Sequence, residues 1–311
     1  MTGYILRRIG WALVVAWFAS TVVFAMLVAI PADPARAIMG THASEETLAR
    51  VNAHYCLDRS VLEQYGCWIG NLASGDLGES YRTKRPVAEI LADRIGPTIQ
   101  LALAAILLQL LVGLPLGIVA ARWRGRWPDH TANVVGVLGQ SAPPFFLGTL
   151  LLYLFAYRFE WFPIAGHGEG GLDRLHHLVL PATTLAMFGI AMYARVTRSE
   201  LVDVLAEDFI RTARAKGLSE RAVVLRHALR HALGPLVTLI GLDLGLLLGG
   251  AVVVEYIFAW PGVGREALHA ILAFDLPVIL GIVLISAFAI AIGNLLADLA
   301  YLWIDPRLRD K

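Results

Sequence analysis

An all-α membrane protein with six transmembrane helices, and a small extracytoplasmic segment after the first, is the fold class this sequence predicts. Three observations predict it. Apolar residues make up 57% of the 311-residue chain and charged residues only 16%. The mean hydropathy is +0.64. The apolar residues fall in six long blocks, near 9–30, 98–121, 131–157, 178–196, 233–258 and 277–303. A helix crossing the ~30 Å hydrocarbon core needs about 20 mostly apolar residues, and a water-soluble core has no use for six runs of that length.

The first block, Ile9–Ile30, is longer than the roughly 7–15 apolar residues of a secretion signal. Despite the "ARA" at Ala35–Ala37 it is therefore read as retained, so that residues 1–30 form an N-terminal tail and first span. Residues 31–97 follow as the extracytoplasmic segment. Within it Ser44-Glu45-Glu46 opens one short helix, Val61–Leu72 forms another, and "GDLGES" (Gly75–Ser80) is a loop. Both cysteines of the chain, Cys56 and Cys67, lie here. A thiol pair on an oxidising face is a disulfide candidate, with two unrelated thiols as the alternative. Zinc would need two further ligands, and no metal site is expected.

The apolar core, 98–304, carries its own irregularities. "GLPLG" (Gly113–Gly117) combines a small-x3-small pair with Pro115. "GQSAPPFF" puts Pro143 and Pro144 inside the third block, where a kink or break is expected because proline lacks the donor and clashes with the preceding turn. Backbone groups freed at membrane depth are satisfied by neighbouring helices or by a wet cavity, which makes Gln140 and Ser141 candidates for lining a solvent path. In the fifth block Gly241, Gly245 and Gly249 form a stripe suited to close helix packing. Asp243 points about 200° round the helix from Gly241. A mid-span acid marks a polar cavity or a partner, so Asp243 joins the path candidates, with a hydrogen bond to a neighbouring helix as the structural alternative; Glu255, a polar position near the edge of the same block, is a further path candidate. Gln109, Asn294 and Asp298 are further polar positions in the blocks.

Charge placement sets the orientation. With the N-terminus inside, sixteen Lys and Arg fall on the inner side, including Arg7, Arg8, Arg122, Arg124, Arg126 and the tail 305–311; the two short outer loops carry only Arg158, Arg174 and Arg265. Both termini are then cytoplasmic by the positive-inside rule. So is "DFIRTARAKGLSERAVVLRHALRHALGP" (Asp208–Pro235), which holds six Lys/Arg against two acids. Residues 199–216 pattern as one helix, Gly217-Leu218 as its glycine cap, and Ser219 as the N-cap of a second. Ala222, Leu225, Ala228, Leu229 and Ala232 share one face of the second helix, with Arg221, Arg226 and Arg230 elsewhere. Such a stretch either lies on anionic lipid or docks a cytosolic protein. Nucleic-acid binding is disfavoured by the lack of aromatic stacking residues.

"IRTARAKGL" followed by "HALR" resembles the cytoplasmic loop of permease subunits of binding-protein-dependent ABC importers, in the oligopeptide/dipeptide/nickel branch. "ILRR", "IPADP", "GDLGES", "LVLPA", "EYIFAWPGVGR", "DLPVI" and "DPRLR" extend the resemblance over essentially the whole chain, and it is similar to the B-type subunit. Ala32, His231, Gly234 and Asp243 depart from the usual pattern.

The resemblance implies a type I importer permease fold in which the loop 197–232, and within it 208–230, couples to ATPases. The coupling residues it implies are Asp208, Arg211, Thr212, Ala213, Lys216, Gly217 and Leu218. It further implies a homologous second permease subunit, two cytoplasmic ATPase subunits, an extracytoplasmic solute-binding protein, membrane lipid around the spans, and a prokaryotic inner membrane. On this reading Gln140, Ser141, Asp243 and Glu255 border the translocation path.

The sequence has no G-x4-G-K-[ST] phosphate loop, so ATP and Mg are expected in the partner ATPases and no cofactor in this chain. No catalysis is expected of it. The resemblance implies di- or oligopeptides as the cargo, with nickel or a metal–chelator complex as the alternative, kept open by the short 158–177 loop and "FAWPGVGR", which resemble the nickel-type members; His167, His176 and His177 in that loop suggest a metal, although His177 matches a usual family residue. An ion-coupled secondary transporter is the distant alternative; the internal repeat that often marks one is missing.

Overall fold

The computed structural model describes residues 2–29, 44–54, 56–249 and 251–304. Among them the regular elements are helices, in twelve segments joined by loops: α1 Thr2–Ala29, α2 Glu45–His54, α3 Val61–Ala73, α4 Val87–Arg122, α5 Trp127–Ser141, α6 Pro144–Leu151, α7 Gly171–Val204, α8 Asp208–Ala215, α9 Glu220–Leu248, α10 Val252–Ile257, α11 Val263–Leu272 and α12 Leu276–Ile304. A π-helical turn, Leu152–Arg158, prolongs α6, and a second, Val223–Ala228, lies near the start of α9. By length and composition α4, α7, α9 and α12 suffice to cross a membrane; Leu13–Met26 of α1 and Pro144–Arg158 are shorter apolar helices. Among the described residues each of the six expected blocks is mainly helical.

Three boundaries move, each for a physical reason. The second span was expected from residue 98, but α4 starts at Val87, just after Pro86. Val87, Ile90 and Leu91 recur at helical spacing and are buried against Val263, Ala270, Val278 and Ile282, so tertiary packing extends the helix out of the apolar block. The third span is broken: Ala142 and Pro143 are extended, with ψ of 128° and 141°, and α6 restarts at Pro144. The fifth helix ends at Leu248, and Glu255 lies on the separate short α10.

Close helix approach holds the bundle together. A Cβ at Gly117 would lie 2.5 Å from the Thr197 Cβ and 2.6 Å from the Ala194 carbonyl; at Gly113 it would lie 2.8 Å from the Tyr193 Cβ. The small pair in "GLPLG" thus lets α4 and α7 touch backbone to backbone, as small-x3-small pairs do. The α9 stripe works in the same way against α12, with Gly245 over Ile290 and Gly293 over Gly245. α1 packs on α12, so the first helix of the chain leans on the last.

The 44–86 segment is tied down at both ends. Helix α3 covers the top of α1 through Phe24, whose ring lies 5.3 Å from Tyr65 and 5.9 Å from Trp68, and through a 2.7 Å hydrogen bond between the Thr21 and Tyr65 hydroxyls. Ser60 and Glu63 cap α3. Cys56 and Cys67 form a disulfide, with Cα atoms 6.8 Å apart, that staples the α2–α3 turn onto α3. The loop at Ser80 is held by Asp275, just before α12: the Ser80 hydroxyl and the Tyr81 N–H (3.0 Å) both donate to its carboxylate, which is buried. Closing a short loop by a disulfide is worth about 2–3 kcal/mol. Replacing both cysteines by serine should therefore speed proteolytic nicking within 45–73 several-fold, read by limited proteolysis of the purified chain under non-reducing conditions.

Candidate functional site

The basic stretch folds as two helices about a glycine elbow, with one difference from expectation. The single helix expected over 199–216 is interrupted: α7 ends at Val204, Glu207 is extended (ψ 152°), and α8 begins at Asp208. The elbow follows at Gly217. Its φ is +76°, in the left-handed region that glycine enters without strain. The Gly217 N–H donates to the Arg214 carbonyl (2.9 Å) and the Leu218 N–H to the Ala213 carbonyl (3.4 Å). This pair of bonds defines a Schellman cap. The Ser219 hydroxyl accepts from the Ala222 N–H and opens α9. Arg214 and Glu220 bridge the elbow at 2.8 Å.

Two faces result. Ile210 and Ala213 are buried with Leu201, Val223, Ala228, Ala232 and Ala121, which roots α8 in the bundle. Asp208, Arg211, Thr212, Lys216, Gly217 and Leu218 are exposed on the other side. Of the seven residues named for this site, Ala213 alone is turned inward and serves as an anchor. Phe209, which sequence reasoning did not name, packs against His231 in a tilted contact with ring centroids 4.9 Å apart. The expected apolar face of the second helix is also shifted: Leu225 is 45% exposed, while Val223 and Val224 are buried. The π turn at 223–228 is the cause, since a wider turn changes which side chains face the bundle.

The path candidates do not form one cluster. Ser141 is exposed at the end of α5, beside the extended break; Gln140 shares that helix end, and its side chain lies outside the described residues, as does that of Asp298. Asp243 is half-buried on α9 and looks toward α7. The Tyr193 hydroxyl, fully buried there, faces its carboxylate without reaching good hydrogen-bond geometry. The glycine stripe faces α12 instead, so acid and stripe occupy different sides of α9.

Glu255 is enclosed rather than open. It is inaccessible to solvent, accepts from the Thr98 hydroxyl (2.9 Å) and from the Arg265 N–H (2.9 Å), and sits where a Cβ at Gly262 would overlap it. Thr98 in turn accepts from the Val263 N–H at 2.8 Å. Glu255 thus caps the N-terminus of α11, where the helix dipole favours an anion. Next to it the fully buried Trp260 donates its indole N–H to the Pro97 carbonyl at 2.8 Å. "WPGVGR" is a packed plug docked on α4. Thr98 went unnamed in the sequence, since a lone threonine in an apolar run carries no signal of such a partner. Thr98→Val should lower thermal stability in detergent by about 1–2 kcal/mol, the worth of two buried hydrogen bonds; unchanged unfolding would show that the cradle is not used.

His167, and His176 and His177, which lie on α7 rather than in the expected loop, each have a protein partner. His167 Nε2 meets Gln100 Oε1 at 3.0 Å, His176 Nε2 meets the Trp161 carbonyl at 2.7 Å, and His177 Nδ1 meets the Asp173 carbonyl at 2.9 Å. Burial, with Arg174 and His177 adding to it, holds the His167 ring below the ordinary histidine range. Among the described residues no group of three or more His, Cys, Asp or Glu is placed to hold a metal.

Six apolar helical blocks, two of them split, and a rooted amphipathic hairpin between the fourth and fifth define a type I importer permease fold. A chain of the inward-facing MetNI methionine ABC transporter has the same fold, with a TM-score of 0.59, covering 70% of this chain and 97% of that one at 16% identity. The chain belongs to the binding-protein-dependent transport system inner membrane component family. That family's description matches residues 113–310, and the description of its N-terminal part matches residues 1–102. Over nearly its full length the chain is similar to a putative peptide transport system permease protein of Brucella abortus, at 42% identity over 99% of both chains. It is similar to the glutathione transport system permease protein of Escherichia coli at 40% identity over 100% of both. It is a multi-pass inner-membrane permease of the ABC importer class.

Proposed function

We propose that this chain forms half of the translocation path of an ATP-driven importer of di- or oligopeptides, with α8 as the coupling helix. The observation that carries the proposal is the build of α8: one face is rooted in the bundle by Ile210 and Ala213, the other presents Asp208, Arg211, Thr212 and Lys216 to solvent, and a Schellman elbow fixes its direction. A helix lying on lipid would turn its apolar face to the membrane. Here that face is spent on the chain itself, and the exposed face is charged, which suits a groove on a soluble protein. The peptide assignment rests on the names of the relatives; glutathione is itself a small peptide. The occupied histidines give nickel no comparable support.

On this reading two cytoplasmic ATPases hold ATP and Mg, a homologous permease completes the path, and a solute-binding protein delivers cargo to the 31–97 face and the 158–177 loop. Both termini are cytoplasmic. Gln140 and Ser141 sit at the break that lines the path, and Asp243 contributes a polar group at its flank.

The test is reconstitution. Alone in nanodiscs the chain should show no ATP hydrolysis. With its partner permease and ATPases, hydrolysis should rise when peptide-loaded binding protein is added and not with the unloaded protein. Uptake by this chain without ATPases would refute the reading. Calorimetry on the binding protein with di- and oligopeptides, glutathione and nickel separates the cargoes.

A further inference from the structure

Beyond the coupling helix itself, we propose that the Asp129–Arg198 ion pair is a positioning brace that hands the motion of α8 from α7 to the broken α5–α6 span; this rests on the coupling role proposed above for α8. Asp129 lies in the first turn of α5, before the apolar span, and its side chain is 4% exposed. Arg198 grips it with both arms of its guanidinium, Nε to Oδ1 at 2.5 Å and Nη2 to Oδ2 at 2.7 Å. The Gly125 N–H adds a 2.9 Å bond to Oδ2, so the α4–α5 turn is held in the same grip.

The route from α8 is short. Leu201, one turn beyond Arg198 on α7, is fully buried in the cluster that roots Ile210 and Ala213 of α8. A push on α8 therefore meets α7 within a turn of the guanidinium that holds α5. At its other end α5 stops at Ser141, where the extended Ala142 and Pro143 interrupt the helical hydrogen bonds. This makes α5 a rod of 15 residues, gripped at the α8 end and hinged at the break.

A forked ion pair suits this task better than apolar contact. Two parallel N–H···O bonds fix distance and angle together, whereas apolar side chains slide. Loss of one partner in a buried pair also leaves an uncompensated charge, so the grip does not loosen part-way.

The experiment uses the assembled transporter and reads the ratio of hydrolysis with loaded binding protein to hydrolysis without it. Asp129→Asn keeps the shape and removes the charge; the ratio should fall at least about fivefold, and Asp129→Glu should keep most of it. A second variant separates transmission from folding. In Asp129→Cys combined with Arg198→Cys, the ratio should be low, and should recover when a short bis-maleimide bridges the two thiols in the same sample. The disulfide-bonded Cys56 and Cys67 do not react with the reagent. A parental ratio in the unbridged double variant, or no recovery on bridging, overturns the brace. A parental complex whose hydrolysis ignores the loaded binding protein overturns the coupling role of α8 instead, so the two failures are told apart.

Discussion

Gly217→Pro should uncouple the assembled importer, lowering binding-protein-stimulated ATP hydrolysis and peptide uptake about tenfold or more while the subunits still assemble. Proline fixes φ near −65° and has no N–H. The elbow needs φ +76° and uses the Gly217 N–H to hold the Arg214 carbonyl. Both requirements fail together, so the Schellman turn opens and the Arg214–Glu220 bridge across it is lost. The anchors Ile210 and Ala213 lie before the elbow and keep their burial, which is why assembly should survive. Gly217→Ala provides the graded comparison: it keeps the N–H and bears the left-handed strain, roughly 1–2 kcal/mol for a residue with a Cβ, and should couple at an intermediate level. Parental coupling in the proline variant would remove the elbow from the mechanism.

Gly117→Leu should break the bundle outright. The first carbon added at this position already falls 2.6 Å from the Ala194 carbonyl and 2.5 Å from the Thr197 Cβ, and neither is the movable end of a side chain. Relief requires α4 and α7 to part, which also uncovers Tyr193 beside Gly113. Overpacking a tight contact costs about 1–3 kcal/mol, occasionally more; a leucine forced between two backbones belongs at the upper end, about 3 kcal/mol. The expected result is little monodisperse protein by size-exclusion chromatography in detergent and an early unfolding transition in what is recovered. Gly10→Leu is the control, since the space around Gly10 is open. Equal behaviour of the two variants would show that the α4–α7 contact is not close.

The sequence carried the six apolar blocks, the proline break, the Gly217 elbow with its Ser219 cap, and the disulfide-competent pair, because each is a local signal: a run length, a ring without a donor, a residue without a Cβ, a hydroxyl at a helix start. What it concealed lies in contacts between distant residues. Val87–Leu91 falls in the segment read as lying outside the second span, until the packing on Val278 and Ile282 shows a buried helical stripe. Glu255 reads as a polar group at a span edge, and becomes a cap because Thr98 and the Arg265 N–H converge on it from elsewhere in the chain. Leu225 reads as core under a 3.6-residue period, and is exposed because a π turn intervenes. Asp129 and Arg198 read as two among many inner-side charges, and nothing in either neighbourhood announces that they meet.

The seat of α1 on α12, together with the grip of Asp275 on Ser80 and Tyr81, has a consequence for biogenesis. The ribosome delivers the opening helix and the 44–86 segment first, yet their docking surface is encoded roughly 250 residues later, a wait of about 12–50 s at ordinary translation speed. Until then that helix must be sheltered by lipid or by the insertion machinery, and the newborn chain cannot close. Truncations ahead of Asp275 should therefore leave the 44–86 segment without its latch, however well the intervening spans insert.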